Sequence, residues 1–109
     1  MNRLMQVKIR EHSRLAYLGA RMLGTSSVAL TWGPCIHLHG VSRQDFLNNK
    51  PWVCHELVHV HQFRQYGLWG FTFRYLWEGM RKGYKRNRWE LEANTHQNNL
   101  QLLDDVIFV

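Results

Sequence analysis

Apolar and polar positions divide the chain into segments of two different periods. Over residues 2–23, Ile9, Leu15, Ala16, Leu18, Met22 and Leu23 fall roughly on one stripe. Arg3, Lys8, Arg10, Arg14 and Arg21 fall on the other side, a pattern that predicts a helix. Gly24-Thr25-Ser26-Ser27 breaks it. Val28, Leu30 and Trp32 then alternate with Ala29 and Thr31, and Ile36 and Leu38 alternate with Cys35, His37 and His39. With the Gly33-Pro34 turn signal between them, these runs predict two short strands forming a hairpin. Ser42, with Asp45 three residues on, marks an N-cap and a short helix ending near Asn48-Asn49.

Pro51 suits the first turn of the next helix. Residues 51–66 are apolar nearly all round (Trp52, Val53, Leu57, Val58, Val60, Phe63, Tyr66), which predicts a central helix, and Gly67 stands where its C-terminal cap belongs. A further aromatic helix is predicted over 68–82 and a last one over 88–103, with Trp89, Ala93, His96, Leu100 and Leu103 as its apolar stripe. Residues 104–109 predict a strand or a packed end. The sum is an α+β class, mainly α: a small β-hairpin or sheet beside a central helix. The chain has 109 residues, enough for one core, and no linker, repeat or low-complexity tract, so residues 1–109 are read as one domain.

Composition narrows the function classes. Hydrophobic residues at 45% and charged residues at 20% exclude disorder by composition. The longest apolar stretch, 66–80, is too short for a membrane span and carries Arg74 and Glu78. Charges interrupt the N-terminal residues, so no signal-peptide core is present. Cys35 and Cys54 are too few for a disulfide framework, and the chain reads as cytoplasmic with both thiols reduced. Lys plus Arg is 14 against 8 for Asp plus Glu, a net +6 that gives some pull toward anionic partners. Residues 81–88 hold five basic side chains, read as a solvated connector because no nucleic-acid-reading motif accompanies them. Phe71, Phe73, Tyr75, Leu76 and Trp77 are read as core packing, with a membrane- or partner-facing patch as the alternative.

The histidines carry the chemistry. His55-Glu56-Leu57-Val58-His59 lies within the central helix. Histidines at i and i+4 share one helical face, so both imidazoles can reach one Zn²⁺ at about 2.0 Å. Glu56 stands one position round the helix, beside the metal, where it can act as general base toward a metal-bound water. On an otherwise apolar helix, burying these three groups unpaired would cost several kcal/mol, roughly what isolated polar groups lose on leaving water. A catalytic zinc site needs a third protein ligand. Gln62 and Gln65 occupy the positions where a metzincin requires Gly and His, which excludes that class. Glu90 and Glu92 flank the apolar stripe of the last helix on opposite sides, and spacing does not choose between them. His37, His39, His61 and His96 are also possible ligands, His61 the weakest because it points away from His59.

His55-Glu56-x-x-His59 followed by Glu90-x-x-Ala93 resembles the gluzincin metallopeptidases. The short length and the string His55-Glu56-Leu57-x-His59-Val60-x-Gln62 resemble the compact minigluzincins and related bacterial proteins of unknown function. The likeness is strongest over about 35–97. It implies a zincin-like domain with His55, His59 and Glu90 as ligands of Zn²⁺ and Glu56 as base and proton shuttle, acting on a peptide or protein substrate. Asn94 departs from the pattern, since many relatives carry Asp there as an acceptor for a ligand histidine. Tyr84, Arg88 and His96 are candidates for stabilising the oxyanion. By position, residues 35–41 resemble the edge strand that pairs with substrate in zincins; an ordinary core strand is the even alternative. A shallow cleft implies activity that is narrow, weak or latent, and residues 106–109 could occupy it. The rival readings are a non-catalytic or latent zinc-binding protein and a basic nucleic-acid-associated module.

Overall fold

The computed structural model describes residues 5–109. Its first element corrects the N-terminal expectation. Met5, Val7 and Ile9 alternate with Gln6, Lys8 and Arg10, and this period of two forms a strand, β1 (Met5–Arg10), with Val7 and Ile9 buried. Residues 2–4 of the predicted helix lie outside the described residues. His12 takes a left-handed φ of 54°, and the Ser13 hydroxyl accepts from the Ala16 amide to start α1 (Arg14–Leu23). Of the stripe expected to bury on α1, Ala16 packs down beside Ala20, whereas Leu15, Leu18, Met22 and Leu23 face outward. The reason is close approach, since a methyl on Gly19 would come within 3.1 Å of Leu30 Cδ1.

β2 (Val28–Trp32) and β3 (Cys35–His39) pair antiparallel as predicted, with Gly33 at φ 64° in the turn. α2 (Arg43–Asn48) begins at the Ser42 cap, whose hydroxyl accepts from the Asp45 amide at 3.1 Å. α3 (Lys50–Tyr66) carries Pro51 in its first turn and ends at Gly67, φ 79°. α4 spans Leu68–Lys82. The last predicted helix breaks early. α5 covers Arg88–Thr95, and only a 3₁₀ turn, Leu100–Leu103, continues toward the tail. Asn94 and Thr95 at the end of α5 and Asn98 and Asn99 beyond it are weak helix formers that compete for backbone hydrogen bonds, and Asn99 caps the 3₁₀ turn.

The tail forms β4 (Val106–Phe108), parallel to β1, which is itself parallel to β3. The sheet order is β2-β3-β1-β4, a mixed four-stranded sheet in an α+β, mainly α fold. β3 is therefore internal, and the exposed edge near α3 is β2; residues 35–41 are the core strand of the two alternatives. α3 closes one sheet face through Val53, Leu57 and Val60 against Val7, Ile9, Ile36 and Leu38. Phe63, Phe71 and Trp89 form a second cluster where α3, α4 and α5 meet. No helix among the described residues is long and apolar enough to cross a membrane.

The tail does not fill a cleft, because β4 lies at the opposite edge of the sheet from β2. Arg43 clamps it, donating to the Phe108 and Val109 carbonyls at 3.0 Å each. Truncation after Leu103 is therefore expected to destabilise rather than activate. A loss of about 2 kcal/mol or more should appear as a lower urea midpoint. An unchanged midpoint would contradict this role for β4.

Candidate metal centre

The two histidines of the i, i+4 pair project from the middle of α3, and Glu90 arrives from the first turn of α5. That arrival depends on Asn87, a fully buried residue. Its Oδ1 accepts from the Trp89 amide at 2.9 Å and its Nδ2 donates to the Tyr75 carbonyl at 3.1 Å. The cap starts α5 and ties it to α4. Glu90 then stands three residues past the cap, where the positive end of the helix favours a carboxylate.

One oxygen of Glu90 faces both rings. Oε1 lies 3.0 Å from His55 Nε2 and 3.1 Å from His59 Nε2. The ligand atoms of the three residues all lie within 4.8 Å of one another. Tetrahedral zinc with bonds of about 2.0–2.1 Å holds its nitrogen and oxygen donors about 3.4 Å apart, so this donor set fits such an ion. His59 and Glu90 are buried, and His55 keeps enough exposure to open the cluster to solvent.

A hydrogen-bond chain behind His59 sets its tautomer. Gln62 Nε2 donates to Glu92 Oε1 at 2.7 Å and to the Trp89 carbonyl at 3.2 Å. Its Oε1 is left to accept from His59 Nδ1 at 2.8 Å. With Nδ1 donating, Nε2 turns its lone pair toward Glu90 unless it is protonated. Glu92 thus acts two bonds behind the cluster, and the position left uncertain by the exposed Asn94 is filled by Gln62. Tyr75 OH donates to Glu90 Oε2, holding the carboxylate's second oxygen.

Glu56 is buried beside the cluster. Thr31 Oγ1, from β2, donates to its Oε1 at 2.8 Å, while its Oε2 lies 3.9 Å from His55 Nε2. A groove of about 580 Å³ leads to this point, walled by Val28 and Ala29 of β2, by Trp52, His55 and Glu56 of α3, and by Tyr84.

Without a metal the cluster is strongly polarised. Burial lowers the proton affinity of His59, but the Glu90 hydrogen bond and the Glu56 and Glu90 charges outweigh it and push its pKa up to about 9. For Glu90, burial is outweighed by hydrogen bonds from His55, His59 and Tyr75, which hold its carboxyl well below the usual range. Burial pushes Glu56 up, against the opposing pull of His59, His55 and Thr31. The Tyr84 hydroxyl is pushed up to about 12 by desolvation and by the charges of Glu90 and Glu56, so it remains a donor at neutral pH.

The remaining candidates separate. His37 hydrogen-bonds Ser13 Oγ at 2.8 Å and His39 packs on Tyr17, both beneath α1 on the far sheet face. His61 is exposed on α3, and His96 caps α5 in solvent. The Arg88 guanidinium lies over the Trp89 ring at 4.7 Å. Of the three oxyanion candidates, Tyr84 alone lines the groove with His55 and Glu56. Cys35 and Cys54 are free thiols. Sequence reasoning missed Thr31, Tyr75 and the role of Gln62. Only Gln62 left a signal, one turn beyond His59 on the same helix face. No family model, no curated protein and no solved structure matches the chain.

Two measurements bear on this geometry. Replacing Gln62→Leu frees His59 from its acceptor and should weaken zinc affinity 10- to 100-fold, with helix content by circular dichroism unchanged; undiminished affinity would remove Gln62 from the site. In the metal-free protein, the raised pKa of His59 makes its pairing with Glu90 a stabilising contribution. It is complete below the ordinary histidine value near 6.5 and is lost as pH rises through about 9. Since zinc needs the neutral imidazole, loading at pH 7 should release about one proton and loading above about pH 9 fewer. Calorimetry in buffers of different ionisation enthalpy reads this directly, and equal release at both pH values would refute it.

Proposed function

We propose that the protein is a zinc-dependent metallopeptidase of gluzincin type, with His55, His59 and Glu90 as ligands and Glu56 as general base. The observation that carries this reading is the convergence of two imidazole Nε2 atoms on one buried Glu90 oxygen, beside a second buried carboxylate at the end of a groove. A zinc ion held there supplies Lewis acidity toward a carbonyl and makes water acidic near neutral pH.

The chain's own groups divide the remaining work. Thr31 holds Oε1 of Glu56, which leaves Oε2 on the ligand side to take a proton from the attacking water and return it to the leaving amine. Among the described residues β2 is paired only with β3, so its outer edge offers backbone donors and acceptors to an extended peptide lying in the groove. The Tyr84 hydroxyl on the groove wall is the donor available to a carbonyl oxygen as negative charge develops on it.

The variant Glu56→Gln tests this reading. The wild-type protein loaded with one zinc per chain should cleave a quenched peptide library, and the variant should bind zinc equally well yet lose at least about 100-fold in turnover. Zinc binding without turnover in the wild type would favour the rival, a non-catalytic zinc-binding protein. Absence of zinc from the purified chain, whether or not His59→Ala is made, would remove both.

A further inference from the structure

Phe71 and Tyr75 pack inward on α4, but the rest of that helix's apolar side chains do not. Trp69, Phe73, Leu76, Trp77 and Met80 are exposed by 54–83% of their surface. These positions fall within about 100° of the helix circumference, so they form one continuous stripe, about 17 Å long from Trp69 to Met80 on this 15-residue helix. Trp32, at the end of β2, extends the face: its ring stands edge-on to Trp69 at 5.9 Å, and its Nε1 donates to Thr72. An isolated exposed apolar residue needs no explanation, but a stripe with two tryptophans, a phenylalanine, a leucine and a methionine does.

The charges around the stripe are of one sign. Arg74 and Arg81 flank it on α4, and Lys82, Lys85, Arg86 and Arg88 follow within one turn and the connector. The one acidic residue between positions 68 and 88 is Glu78, which is buried, paired with Lys82 at 3.3 Å and bonded to the Arg88 amide at 3.2 Å. Packing this face on a second copy would bring two such basic runs together in a chain of net charge +6. An anionic lipid surface instead accepts the stripe between its headgroups and pairs the cations with lipid phosphate and carboxylate.

We infer that α4 is a peripheral membrane-docking helix: Trp69, Phe73, Leu76, Trp77 and Met80 enter the interface of an anionic bilayer, and Arg74 and the basic side chains of residues 81–88 hold its headgroups. The inference is independent of zinc and of peptide hydrolysis. It also sets an orientation, since the Trp32 end of the groove-lining strand β2 then faces the lipid.

Co-sedimentation of the full chain with vesicles tests it, using phosphatidylcholine alone and with about one third phosphatidylserine. Binding to the anionic vesicles should exceed binding to the neutral ones at least tenfold and weaken as salt rises, with a blue shift of tryptophan emission. The triple variant Trp69→Ser, Phe73→Ser, Trp77→Ser should lose that binding at least tenfold while keeping the circular dichroism of the parent. The milder variant Trp77→Phe should retain most of it. Absence of binding, equal binding to neutral vesicles, or binding undiminished in the triple variant overturns the inference. So does a dimer in sedimentation velocity that the same triple variant dissolves, which would assign the face to a second copy.

Discussion

A single carboxylate oxygen shared by two imidazoles organises the helical half of this protein. Glu90 is buried, and a buried carboxylate is stable only when its lone pairs are matched by donors or a cation. Here the partners come from two other helices: His55 and His59 from α3, Tyr75 from α4. The docking of α5 on α3 therefore cannot drift without stranding a charge. Asn87, the buried cap between α4 and α5, removes the last freedom in how Glu90 is presented.

Polar satisfaction continues outward from that oxygen. Gln62 links His59 to Glu92 and to the α5 backbone, so the ring has its Nδ1 occupied and its Nε2 turned to Glu90. On the sheet side, Thr31 joins β2 to Glu56. The exposed strand edge and the candidate base are thus held in one frame, and the groove between them follows from a strand that, among the described residues, has a neighbour on one side only.

The apolar residues are distributed less economically than the core requires. α1 contacts the sheet through Ala16, Gly19 and Ala20, because bulkier side chains would hold it away, and its leucines and Met22 stay outside. α4 divides its aromatics between the Phe63, Phe71 and Trp89 cluster and open solvent. Periodicity identifies an amphipathic helix in both cases but does not say which face has a neighbour. The apolar face of α1 is largely the outer one, and on α4 an inner and an outer apolar face coexist.

What could be read along the chain was what neighbouring residues decide among themselves. The Gly33-Pro34 hairpin, the Ser42 cap, Pro51 and Gly67 bounding α3, the extent of α4, and the common face of His55 and His59 all rest on interactions spanning a few positions. β1 was within the same reach, yet its six alternating residues merged with the stripe of α1, and only pairing with β3 and β4 resolves the two periods. Glu90 against Glu92 was beyond local reading, because both flank the same stripe and only the docked angle of α5 turns one onto the histidines. The same holds for Thr31 and Tyr75, ordinary residues of a strand and a helix until folding carries them 25 and 15 positions along the chain to their carboxylates. Short-range sterics and hydrogen bonds specify elements, whereas a polar cluster assembled from four of them exists only once the apolar core has set their relative positions.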